Sequence, residues 1–256
     1  MHLTWIRRLV GSSAVAAAIA VSAGADDAAS AKLMLPEGTA AKAIEADTAH
    51  LAKLFELTKT KKKLEGRVKS TALLIAGYAQ SELGGKDGAK MAGVRDQAVK
   101  IAEAIAKKDM AGAEAATKGL ATAKGSAGGK ELDLSKQAKL ELAELMDLFG
   151  GSGAGGMNLE KDIRAGRKEI SAKDAELIGA RVMVLAEYTA KLPPEFDAAK
   201  KKTPDAWERW SSQMKKTAGD IATEAAKGAK ADAARLKKLM SGLDGTCTNC
   251  HNVFRE

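Results

Sequence analysis

The chain has 256 residues, 45% of them apolar and only 4% aromatic, with 41 Lys and Arg against 33 Asp and Glu for a formal net charge of +8. That apolar share suffices for a packed core and excludes a disordered tail. The charge lies in short lysine groups (Lys61 to Lys63, Lys200 to Lys202, Lys215 and Lys216) among many carboxylates, which reads as a solvated helical surface or as steering toward an acidic partner, and no basic block interleaved with aromatics points to nucleic acid.

Abundant alanine, four prolines and few β-branched or aromatic residues predict an all-α chain. Residues 1–25 read as an export signal: Arg7 and Arg8 open it, Leu9 to Val21 is a short apolar run, and Ala23-Gly24-Ala25 is a small-residue cleavage site before Asp26. The run is interrupted by Gly11, Ser12 and Ser13 and falls short of the ~20 residues a membrane-spanning helix needs. Cleavage leaves +6 once Arg7 and Arg8 are gone, and no second long apolar run follows, so the expectation is a periplasmic chain with no membrane span.

Four helices are expected over 44–60, 62–84, 88–107 and 109–124, then a linker at Lys124-Gly125-Ser126-Ala127-Gly128-Gly129. Beyond it, helices are expected over 135–149, 172–191, 204–226 and 230–254, with a minor one near 158–168. Ser171 with Asp174 is a capping pair, and Thr203-Pro204 sets a cap before a first-turn proline. Gly151, Gly153 and Gly156 satisfy G-x-G-x-x-G, but without a preceding strand the segment reads as a joint between helices. His50 is expected to be exposed.

The two halves resemble each other in order. Leu51-Ala52-Lys53-Leu54-Phe55-Glu56-Leu57 aligns with Leu142-Ala143-Glu144-Leu145-Met146-Asp147-Leu148, Val68 to Tyr78 with Ile178 to Tyr188, and Ile101, Ala102, Ile105, Ala106 and Leu120 with Thr217, Ala218, Ile221, Ala222 and Leu236. Fixed-order self-similarity marks repeated units. Short joints between amphipathic helices suggest two tandem four-helix-bundle-like repeats, 26–128 and 129–256.

Cys247-Thr248-Asn249-Cys250-His251 is C-x-x-C-H, the attachment signature of c-type haem. Two cysteines three apart share a helix face where both thiols can add to the porphyrin vinyl groups, and the next histidine can turn its imidazole to the iron. Leu236, Met240, Leu243, Cys247, Cys250 and Phe254 form one stripe at steps of four and three, so both cysteines should face the core. A structural zinc site wants about four Cys or His ligands, whereas beyond residue 25 the chain offers these two cysteines, His50 and His251. A thioredoxin-like reading lacks its βαβ context, and a bare disulfide leaves His251 unexplained.

The C-terminal half resembles the class II c-type cytochromes, the cytochrome c′ type of four-helix bundle. The resemblance rests on Cys247-Thr-Asn-Cys250-His251-Asn-Val-Phe254-Arg255, on the turn Gly242-Leu-Asp-Gly245 and on the helix opening Thr203-Pro204-Asp205-Ala206-Trp207, and it covers about residues 135–256. It implies one haem c per chain, thioether-linked to Cys247 and Cys250, with His251 as proximal iron ligand and with Arg255, Phe254 and Trp207 around the group. In that family the first helix approaches the other axial position, either with a ligating methionine or with an apolar residue. Met146 lies on the corresponding helix, with Met157 and Met183 as lesser candidates. Trp207, Trp210, Met214, Ala218 and Ile221 form another four-three stripe, facing either porphyrin or core. The first half, which reaches Lys130-Glu131 where the cysteines would fall, should carry no haem.

The expectation is therefore an electron-transfer protein acting with redox partner proteins, not an enzyme. Two alternatives stay open: NO or CO binding at a five-coordinate iron, and a haemless helical interaction module with a Cys247–Cys250 disulfide. The resemblance also allows a homodimer through helix faces.

Overall fold

The fold is described from a computed structural model for residues 33–61, 63–125 and 130–255. The export signal expected over 1–25 lies outside the described residues, and so does the expected junction at 128 and 129. Among the described residues every regular element is a helix, the one β feature being an isolated bridge between Asp197 and Lys202. No described helix is long and apolar enough to cross a membrane.

The first half holds α1 (Thr39–Thr58), α2 (Glu65–Ser81), α3 (Gly88–Ala106) and α4 (Met110–Thr117). α1 starts five residues before the expected position, after Gly38 turns the chain at φ 77°, a conformation glycine adopts without steric cost. Asp109 caps α4 by accepting the Gly112 N–H at 2.8 Å. Helix packing closes a ring: α1 on α2, α2 on α3, α3 on α4 and α4 back on α1.

The second half departs from expectation at its start. Instead of one helix over 135–149 there is a 3₁₀ turn (Leu134–Lys139), the short α5 (Leu142–Met146) and another 3₁₀ turn (Asp147–Phe149). Ala138 and Lys139 are left-handed, at φ 53° and 50°, which no helix tolerates. The break is tied to α2: the Lys69 ammonium donates to the Lys139 carbonyl at 3.0 Å and pairs with Glu144 at 2.7 Å, folding this segment onto the first half.

The remaining helices are α6 (Leu159–Gly166), α7 (Ala172–Ala190), α8 (Pro204–Ala225) and α9 (Ala233–Phe254). Ser171 and Thr203 cap α7 and α8 as expected, accepting the Asp174 and Ala206 N–H groups. These four also pack in a ring, α6 on α7, α7 on α8, α8 on α9 and α9 on α6. The helix expected to be minor therefore completes the second bundle, because Leu159 and Ile163 present one apolar face to the core while Glu160 and Arg164 stay outside.

One apolar core runs through both halves, with Leu51, Leu73, Ile101, Leu159, Leu185 and Ile221 among its fully buried members; each such side chain contributes roughly 1.5–3 kcal/mol on burial. Polar groups join the halves as well. Asp47, fully buried on α1, accepts from Tyr78 of α2 at 2.8 Å and from Arg181 Nε of α7 at 2.9 Å. Tyr188 donates to the Leu73 carbonyl at 2.7 Å, and Glu176 accepts from Thr39 at 2.7 Å and from Lys42. α2 and α7 approach closely at Gly77, where a Cβ would come 2.5 Å from Val184 Cγ1 and 2.7 Å from Tyr188 Oη.

Candidate functional site

α9 is anchored at its start and carries its chemistry at its end. Asp232 accepts the Ala234 and Arg235 N–H groups at 2.9 and 3.0 Å, while Glu224 of α8 accepts the Asp232 N–H at 2.9 Å. From there Leu236, Met240 and Leu243 are buried, and Cys247, Cys250 and Phe254 continue the stripe half-buried. The expected core-facing register is present, with the burial loosening toward the terminus.

Two helices flank that end. On the α8 side, the Trp207 ring meets Phe254 edge-on, with centroids 5.0 Å apart and planes at 78°, and the Trp207 N–H donates to the Thr189 carbonyl of α7 at 3.1 Å. On the α6 side, Gly166 lies where a Cβ would touch Met240 Cγ at 3.1 Å. Asp244, one turn before Cys247, pairs with Arg167 at 2.7 Å and with Arg164 at 3.7 Å; Arg164 also holds Glu160 at 2.9 Å. This clasp escaped sequence reasoning. Its available signal was the i, i+3 spacing of Arg164 and Arg167 on one face of a short amphipathic helix.

Both cysteines are free thiols. Burial pushes the Cys247 thiol up to about 12, with the Asp244 charge adding to it, and burial pushes Cys250 up to about 11. Both are therefore neutral at pH 7, unlike the depressed thiols of dithiol redox enzymes. His251 is largely exposed. Partial burial of its ring and then the Arg255 cation hold it below its usual value, while Glu160 acts the other way, so a neutral imidazole is favoured, the form that ligates metals. Exposed Arg255 follows the helix end, donating its N–H to the His251 carbonyl at 3.0 Å.

The donor set fits the group the motif implies: two unpaired thiols one turn apart, a neighbouring neutral imidazole, and an aromatic pair closing one side. It does not fit a protein-only metal centre, since among the described residues no three His, Cys, Asp or Glu side chains gather around a metal position.

The candidates for the second axial position are scattered. Met146, half-buried, sits on α5, which packs on α2 and α7, whereas the helices packed on α9 are α6 and α8. Met157 is buried in the core, and Met183 of α7 faces Gly219 of α8. His50 is not exposed as expected. It lies within α1, half-buried, with its Nε2 enclosed and unpartnered, and burial lowers its pKa. Trp207 also forms the inner wall of an open cleft of about 380 Å³ between α7 and α8, edged by Pro193, Phe196 and Pro204.

No protein-family model, curated protein or solved structure matches this chain.

Proposed function

We propose that this chain is an exported mono-haem c-type cytochrome of the class II kind, with Cys247 and Cys250 carrying the haem through thioethers and His251 as proximal iron ligand. The observation that carries the reading is the arrangement of Cys247, Cys250 and His251 on the last turns of α9: two half-buried, neutral, unpaired thiols on one face and an adjacent neutral imidazole. Trp207 and Phe254 wall the site, and Arg255 keeps a positive charge at the open end of α9. When bound, the haem would supply a one-electron ferrous/ferric couple, which makes electron transfer to redox partner proteins the leading function. The similar rings α1–α4 and α6–α9, with the aligned Val68–Tyr78 and Ile178–Tyr188 on α2 and α7, support an internal duplication in which the first half serves as a haemless packing partner, although Leu142–Leu148, aligned with part of α1, falls on α5 and the turn after it, outside the second ring.

A second reading, reversible binding of NO or CO, is favoured by one specific feature. Of the two helices packed on α9, α6 turns Leu159 and Ile163 inward and contains no methionine, while α8 carries Met214; Met146 packs elsewhere, on α2 and α7. If α6 faced the bound haem, it would offer the iron no thioether, which would leave a position open to a gas. Spectra of the ferrous protein before and after CO separate the two: a low-spin spectrum unchanged by CO identifies a six-coordinate carrier, and a high-spin spectrum that shifts with CO identifies gas binding.

A further inference from the structure

Buried indole N–H groups as a rule find an acceptor. Trp207 follows the rule, but Trp210 does not: its Nε1 is enclosed and has no hydrogen-bond partner. The guanidinium of Arg209 lies over the Trp210 ring at 4.7 Å from the centroid, and Arg209 makes no ion pair among the described residues. A donor without an acceptor and a cation without a carboxylate partner thus stand side by side near the start of α8.

Their position follows from helix register. Trp210 and Thr217 are seven residues apart and share a face of α8. Thr217 Cγ2 lies 3.9 Å from where a Cβ on Gly242 would sit, and Trp207 meets Phe254. The two contacts run in opposite directions along antiparallel helices and bracket Trp210, so it faces α9 at the level of Cys250 and His251. The chemistry missing from Trp210 and Arg209 is a hydrogen-bond acceptor with negative charge. On a haem the ring nitrogens are taken by iron, and the strong peripheral acceptors are its two carboxylates.

We propose that Trp210 Nε1–H and the Arg209 guanidinium hold a carboxylate of the haem carried by Cys247 and Cys250, an inference that rests on the function proposed above. A charged acceptor shared by an indole N–H and a guanidinium makes a strong, directional contact.

The test uses the haem-loaded full chain, the haemless Cys247→Ala/Cys250→Ala variant, Trp210→Phe and Arg209→Gln. Ultraviolet resonance Raman reports whether an indole N–H is bonded, and the wild type minus Trp210→Phe difference isolates Trp210. The expected result is a free N–H in the haemless protein that becomes bonded in the haem-loaded one, with a shifted haem carboxylate bending band in both Trp210→Phe and Arg209→Gln. A Trp210 N–H still free in the loaded wild type, or a carboxylate band unmoved in exposed-site Arg209→Gln, would overturn the proposal. Covalent haem stoichiometry is read first in the same samples: its absence from wild type sinks the cytochrome reading itself, and its presence with an unbonded Trp210 sinks only this contact.

Discussion

The indole of Trp207 meets the ring of Phe254 edge-on at 5.0 Å, joining the first turn of α8 to the last turn of α9. The contact holds the cysteine-bearing end of α9 against the bundle, and Trp207 also lines the open cleft between α7 and α8.

Replacing Trp207 with alanine removes a buried aromatic and should cost about 3–5 kcal/mol of stability. Trp207→Phe keeps a ring against Phe254 and loses only the hydrogen bond to the Thr189 carbonyl, about 1 kcal/mol. Urea unfolding of the two variants checks the order; equal losses would mean the ring contact contributes little.

Asp47 and Arg181 bind the two halves through a carboxylate that is fully buried. Asp47→Ala strands the guanidinium and the Tyr78 hydroxyl together, so a loss of about 3–5 kcal/mol is expected. The apolar pair Asp47→Leu/Arg181→Met should recover much of it, because no charge is left without a partner. Because one core spans both halves, wild type should unfold in a single transition by fluorescence and circular dichroism; two separated transitions would show that the halves are independent.

Gly77→Ala tests the α2–α7 crossing. Its Cβ would press on Val184 and Tyr188, and overpacking of this kind costs about 1–3 kcal/mol. A variant as stable as wild type would mean that α7 can move away freely.

His50 sets a pH dependence. Burial, followed by opposing effects of Asp47 and Arg181, holds its folded pKa below the ordinary 6.5. The unfolded chain therefore takes up this proton first, and stability should fall as pH drops through about 6.5, with the penalty complete below the folded pKa. His50→Gln should flatten the slope of the urea midpoint between pH 7 and pH 5; an unchanged slope would remove His50 as its source.

The all-α fold and most helix bounds were legible because they depend on local chemistry: alanine content, the Ser171 and Thr203 caps, and the four-three stripe ending at Phe254. The broken segment at 135–149 was not. Its helical pattern is overridden at Ala138 and Lys139, where Lys69 from α2 captures the Lys139 carbonyl, a partner 70 residues away in sequence that no local signal announces. The same holds for α6, whose place beside α9 is set by Leu159, Ile163 and the close approach of Gly166 to Met240, and for His50, enclosed by distant packing. At the candidate site, the motif and its helix face could be read from spacing, but the free Trp210 N–H is a property of what surrounds it.

The most direct test of the central claim is a reduced pyridine haemochrome spectrum, with a haem-stained denaturing gel, on protein made in a host that attaches c-type haem. One covalent haem per chain is expected, lost when Cys247 and Cys250 are replaced by alanine. A folded, colourless wild-type protein from that host would contradict the account and leave α9 with a dithiol or a disulfide in place of a haem site.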